Sequence, residues 1–218
     1  MRVHLVAAAA LLALRPAAAP AQPDAAGLLG RSARVYRSLG ALRAEFTQVI
    51  DDPMVGRLDS RGVLVQSGAS KLSMKFSDPK GDEIVIDGRH VWVYTPSTAP
   101  GQVIRLPVPS GPVYGYNLLA WFLDKPSERY TATYVREERS GTRTLDVLAL
   151  LPAVPDLPFR RATIALDRDD GLPRRIEIEE LSGARRTLTL TKLQPNAGVS
   201  ASQFTFAVPR GVRIVDQS

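Results

Sequence analysis

The sequence predicts a mainly β (α+β) fold, a single curved antiparallel sheet of about eleven strands forming a half-open barrel. An N-terminal helix and a short apolar helix would cover it. Three observations carry this: one early segment at helical spacing, a long succession of period-two segments punctuated by Asp-Gly and Ser-Gly turns, and one almost continuously apolar stretch in their midst.

The first residues, MRVHLVAAAALLALRPAAAPAQPD, combine a basic Arg2, an apolar run from Val6 to Leu14 and the small residues Ala19-Pro20-Ala21. That pattern is a cleavable secretory signal peptide over 1–21, with residues 22–218 as one mature domain. The run falls short of the about 20 residues that span a bilayer. A domain of this size buries enough surface to fold without disulfides. The chain has no cysteine, which removes thiol catalysis, thiolate metal sites and lipidation at a cleavage-site cysteine.

The helix is predicted from Asp24 as cap, through Leu28, Leu29, Ser32, Val35, Tyr36 and Leu39, to a stop at Gly40. The period then becomes two: Leu42, Ala44, Phe46 and Gln48 alternate with Arg43, Glu45, Thr47 and Val49. Strands are expected at 56–66, 71–76, 83–86, 89–94 and 102–106. Asp87-Gly88 between two of them suits a type I′ turn. Residues 107–115, rich in Pro and Gly, read as a loop, and YNLLAWFLD (116–124) as the short apolar helix. Strands follow at 130–138, 142–151, 159–167, 172–180 and 186–193, with a last one at 211–216. So long a sheet curls, and half-closing it reduces exposed edge. A barrel of more than about eight strands is too wide for its own side chains to fill, so its interior must be plugged or hold a ligand.

Charge and motifs exclude more than they assign. The chain carries 28 Lys+Arg against 22 Asp+Glu, and losing Arg2 and Arg15 with the signal leaves a modest excess. The pairs Arg160-Arg161, Arg174-Arg175 and Arg185-Arg186 fit solvated strand faces, or attraction to anionic headgroups or an acidic partner. No basic-aromatic stretch suggests nucleic acid. Once His4 leaves with the signal, His90 stands alone, so neither HExxH nor a His-rich metal site can form. Asp167, Asp169 and Asp170 before Gly171 lack the downstream Glu of a calcium loop at position 178 and read as a polar turn. No catalytic group, cofactor or metal is expected, and nothing in the motifs supports an enzyme.

Phe46-Thr47-Gln48 after a short helix, Asp78-Pro79, Asp87-Gly88 followed by Val91-Trp92-Val93-Tyr94-Thr95-Pro96, Asp170-Gly171, and Phe204-Thr205-Phe206 with Pro209, Gly211-Val212 and Val215-Asp216 together resemble the outer-membrane lipoprotein carrier family, LolA. The resemblance covers nearly all of the mature chain. It implies an unclosed barrel with an apolar cavity for lipoprotein acyl chains, operating in the periplasm as a monomer. Acylated cargo would pass from an inner-membrane ABC transporter to an outer-membrane receptor. The family's basic-Pro segment, as in KRPxxF, is replaced here by Ser67-Gly68-Ala69-Ser70-Lys71-Leu72, and Met74 stands where the family has Trp. A carrier of a different lipid is therefore an alternative. So is a periplasmic lipoprotein-sensing regulator, although such sensors carry a further C-terminal domain and this sequence ends just after its last predicted strand. Under the carrier reading Leu118, Leu119, Trp121 and Phe122 suit a lid, and Phe46, Leu72, Met74, Phe76, Trp92 and Tyr94 suit the cavity wall. Strand phase alone leaves open whether Trp92 and Tyr94 or Val91 and Val93 face inward; the aromatic pair is taken here.

Overall fold

The structure, a computed structural model, describes residues 22–109, 114–155 and 157–217. The signal-peptide segment therefore lies outside the described residues, as does the middle of the loop expected at 107–115.

Helix α1 spans Ala25–Ser38 and buries Ala25, Leu29, Ser32, Ala33 and Tyr36, one stripe at helical spacing. Asp24 occupies the cap position, but its side chain makes no capping hydrogen bond. Instead the Arg31 guanidinium fastens the helix to the sheet, donating to the carbonyls of Arg168 (3.0 Å) and Asp169 (2.9 Å). At the other end Tyr36 Oη accepts a hydrogen bond from the buried Gln66 amide.

Six strands follow: β1 (Ala41–Asp52), β2 (Gly56–Ser67), β3 (Lys71–Asp78), β4 (Lys80–Ile86), β5 (His90–Tyr94) and β6 (Gln102–Pro107). Two short helices, α2 (Leu118–Leu123) and α3 (Pro126–Arg129), lead to β7 (Tyr130–Ser140), β8 (Arg143–Pro152), β9 (Phe159–Asp167), β10 (Pro173–Glu180) and β11 (Arg185–Pro195). After one turn of 3-10 helix at Ala201–Phe204 comes β12 (Arg213–Asp216). The strands form one sheet in the order β12-β6-β5-β4-β3-β2-β1-β11-β10-β9-β8-β7.

This departs from the sequence expectation in one way. The twelve strands among the described residues fall on the expected segments, but β12 lies parallel to β6, with Arg213 opposite Gln102 and Asp216 opposite Arg105, so the sheet is mixed. A parallel pair needs a crossover rather than a hairpin. Here residues 196–212 supply it, the 3-10 turn with the buried Phe204 packing beside β3 and Phe206 stacking on Trp92 of β5 at 5.5 Å between ring centres.

The strand order also explains the helices. Strands β6 and β7 are consecutive in sequence but lie near opposite edges of the sheet. Their connection must cross the hollow of the curved sheet, taking α2 with it. Helix α2 is buried almost all round, through Leu118, Leu119, Ala120, Phe122 and Leu123, as an apolar helix with no solvent face must be. Asn117 caps it, its side chain accepting from the Ala120 amide at 3.1 Å. Phe122 meets Tyr130 and Phe159, both at 5.5 Å. One apolar core joins α1, α2 and the concave face of nearly every strand.

Two local devices shape the sheet. Gly62 of β2 stands between Phe46 and Phe76 on the neighbouring strands. Its missing side chain lets the two rings meet edge to face at 5.1 Å across β2. The backbone is so close that a Cβ at Gly62 would fall 2.1 Å from the Lys75 carbonyl oxygen. On the outer face, Arg175 of β10 reaches over β9 and β8 to Glu138 of β7 with two hydrogen bonds of 2.7 and 2.9 Å. Val147 and Ala165 are buried on the strands it crosses and form a small cluster with Leu145.

Candidate functional site

Between the concave sheet and the segment leading into α2 lies a cavity of about 280 Å³. Gln48, Leu64, Met74, Phe76, Ile84 and Leu188 form its sheet wall, and Tyr114–Leu119 lie opposite. The wall positions share one face because they pair directly across strands: Leu64 with Met74, Met74 with Ile84, and Gln48 with Leu188. Glu180 and Arg186, at the ends of β10 and β11, close the cavity with an ion pair whose nearest atoms are 3.4 Å apart. Arg186 also donates to the Gly115 carbonyl at 3.1 Å, holding the approach to α2 against the sheet.

The ten residues singled out from sequence divide accordingly. Met74, Phe76, Leu118 and Leu119 line the cavity. Phe46, Leu72 and Phe122 are wholly buried in the packed core instead. Trp121 is the least enclosed residue of α2. It lies edge-on to Tyr114 at 5.1 Å, with the Arg129 guanidinium 4.1 Å above its ring.

Trp92 and Tyr94 require a correction. Their neighbours Val91 and Val93 face the core, so the two aromatics point to the opposite side. The physical reason is partnership on the outer face: the Trp92 indole N–H donates to Asp87 at 2.8 Å, Arg105 lies 5.5 Å from its ring, and Phe206 packs on both aromatics. In the same turn Asp87 Oδ1 accepts the backbone N–H groups of Arg89 and His90, both at 2.7 Å. The Asp167 carboxylate takes its partners from Arg143 (2.6 Å) and Arg174 (3.3 Å).

Sequence reasoning missed Leu64, Ile84 and Leu188, ordinary strand aliphatics whose facing becomes visible only with the register. It also missed Gln48, Glu180 and Arg186. Their signal was present as a break in alternation: apolar concave stripes in β1, β10 and β11 each end on a polar residue.

The comparisons agree with this architecture. Residues 37–207 match the family model described as outer membrane lipoprotein carrier protein LolA. An outer-membrane lipoprotein carrier protein of Chromohalobacter salexigens is 29% identical over 96% of this chain and 95% of its own. The protein of that name from Pseudomonas aeruginosa is 25% identical over 99% of this chain and 100% of its own. Among solved structures, an uncharacterized conserved protein from Thermus thermophilus superposes with a TM-score of 0.57 at 14% identity, covering 88% of this chain and 99% of that one. The Pseudomonas aeruginosa MucA/MucB complex gives 0.51 at 19% identity, covering 88% of this chain and 64% of that one. With the family match spanning most of the sequence and an open, helix-covered sheet beneath it, this chain belongs to the LolA family of outer membrane lipoprotein carrier proteins.

Proposed function

We propose that this protein works in the periplasm as a non-enzymatic carrier, binding lipoprotein acyl chains in the cavity beneath α2. It would receive cargo from an inner-membrane ABC transporter and release it to an outer-membrane receptor. The observation that carries this reading is the apolar hollow between the concave sheet and the crossover helix, lined by Leu64, Met74, Phe76, Ile84, Leu118, Leu119 and Leu188.

The energetics favour partial enclosure. Hiding a chain of about 16 carbons at ~0.8 kcal/mol per methylene gives a gross term above ~10 kcal/mol. Complete burial of two or three chains would approach the limit of non-covalent affinity and prevent release. The cavity is roughly twice the ~150 Å³ engineered void that admits one benzene. It takes a section of one chain, and α2 must give way before more can enter. Cargo and helix then compete for the same wall, which keeps binding reversible.

Titrating the mature protein with a fluorescent palmitoyl-peptide tests the reading, together with recovery of membrane partners on the immobilised protein. Saturable binding and retention of transporter components are expected. No binding of the peptide, or recovery of a membrane-anchored signalling protein in place of the transporter, would refute it.

A further inference from the structure

The concave face is apolar nearly everywhere, yet it turns polar at one place on three adjacent strands. Ile176 and Ile178 of β10 are followed on the same face by Glu180, Leu190 and Leu188 of β11 by Arg186, and Phe46 of β1 by Gln48. All three polar side chains line the same cavity, and the Tyr114 ring joins them from the crossover segment. Glu180 and Arg186 are about four-fifths enclosed, at 19% and 18% side-chain exposure. Glu180 Oε1 and Arg186 Nε face each other at 3.4 Å without hydrogen-bond geometry, and neither they nor Tyr114 Oη has a hydrogen-bond partner among the described residues. Burial and the adjacent Glu180 carboxylate both push the Tyr114 phenol to a higher pKa, while Arg186 pulls it down.

A buried ion pair costs more in desolvation than its attraction returns unless further hydrogen bonds complete it. Here the two charges meet without a hydrogen bond between them, the Gly115 carbonyl gives Arg186 one further acceptor, and both side chains line the cavity. Interruptions of an otherwise consistent pattern collect at functional sites.

We propose that Glu180 and Arg186 form a polar subsite at one end of the acyl cavity, taking the neutral linkage, an amide in preference to an ester, through which an acyl chain joins its head. The proposal rests on the acyl-binding reading above and adds the chemistry of the chain's attachment. An amide carbonyl accepts from the Arg186 guanidinium while its N–H donates to the Glu180 carboxylate, so one group satisfies both halves of the pair. An ester offers the carbonyl alone. A free carboxylate would set a second negative charge against Glu180, whose own counter-ion is already engaged.

The test uses the full mature protein and three ligands of equal chain length: N-methyldodecanamide, methyl dodecanoate and dodecanoate. Calorimetry or dye displacement gives each affinity. The amide should bind about tenfold more tightly than dodecanoate, the scale of one hydrogen bond to a charged group, with the ester between them. Removing the pair as a unit, in Glu180→Leu/Arg186→Met, avoids leaving an unpaired buried charge. That variant should lose the amide's advantage and bind the amide and the ester within about twofold of each other, with the charged dodecanoate weakest because its carboxylate is still desolvated. Equal affinities for amide and ester in the natural protein, or an unchanged amide advantage in the double variant, would overturn the subsite while leaving the acyl cavity standing. Failure of all three to bind the natural protein would overturn both. Should the double variant not fold, the ranking in the natural protein decides alone.

Discussion

Replacing Gly62 by alanine probes the joint between the sheet's geometry and its cavity. The added methyl would sit 2.1 Å from the Lys75 carbonyl oxygen and 2.9 Å from both the Lys75 carbonyl carbon and Phe76 Cα. All three are backbone atoms, so no side-chain rotation relieves the overlap and β2 and β3 must separate locally. Overpacking of this kind costs about 1–3 kcal/mol. For a domain of this size that lowers Tm by about 2–12 °C. The same displacement moves Phe76, a cavity-wall residue, so acyl-ligand affinity should fall in parallel. Differential scanning calorimetry and a palmitoyl-peptide titration measure the two effects. Gly40→Ala is the matched control: its φ is not left-handed, and nothing lies within 4 Å of a Cβ there. That control should be neutral or stabilise by ~0.4–1 kcal/mol through the unfolded chain. If Gly62→Ala were as benign as the control, the close approach of β2 to β3 would be wrong, and with it the account of how Phe46 and Phe76 meet.

Other perturbations separate the roles of neighbouring parts. Phe122→Ala removes a wholly buried ring from contact with Tyr130 and Phe159 and should cost about 3–5 kcal/mol in chemical denaturation. Because α2 and cargo compete for the same wall, the folded variant should bind acyl ligand more tightly, and weaker binding would contradict that competition. Tyr36→Phe and Gln66→Leu each strand a buried partner and should each cost about 1–3 kcal/mol, whereas the double variant should cost less than their sum in a double-mutant cycle. Hydrogen bonds from Arg175 hold the Glu138 carboxyl at a pKa of about 2, below its ordinary 4.5. A depressed folded-state pKa stabilises above the unfolded value and loses that contribution as pH falls. Melting temperatures should therefore decline between about pH 5 and pH 2, and Glu138→Gln should flatten that part of the profile. An identical decline in the variant would show that the strap over Val147 and Ala165 contributes nothing.

Much of this fold was legible in the sequence because its connections are local. Asp87-Gly88, Asp170-Gly171 and Ser182-Gly183 each mark a hairpin, and the change from helical to period-two spacing at Leu42 falls where β1 begins. What stayed hidden was non-local. No turn residue announces that β11 returns to pair with β1, or that β12 enters parallel to β6, since those ladders join segments far apart in sequence. The facing of β5 failed for the same reason. Val-Trp-Val-Tyr satisfies either phase, and the choice was made by Phe206, more than a hundred residues away, covering Trp92 and Tyr94 from outside. The apolar character of α2 identified Leu118 and Leu119 as cavity residues, but hydrophobicity could not separate them from Phe122, which packs away from the cavity. Glu180 and Arg186 were written in the sequence as interruptions of alternation. Read without the register, they are two more charged residues at a hairpin's ends.

The central claim is that hydrocarbon enters between the concave sheet and α2. Intermolecular nuclear Overhauser effects measured on methyl-labelled protein with a bound palmitoyl-peptide test this most directly. The acyl chain should give cross-peaks to the methyls of Leu64, Met74, Leu119 and Leu188, which line the cavity from both sides. Cross-peaks confined to outer-face methyls such as Val63 and Val65, or none to any of those four, would place the chain elsewhere and contradict the account.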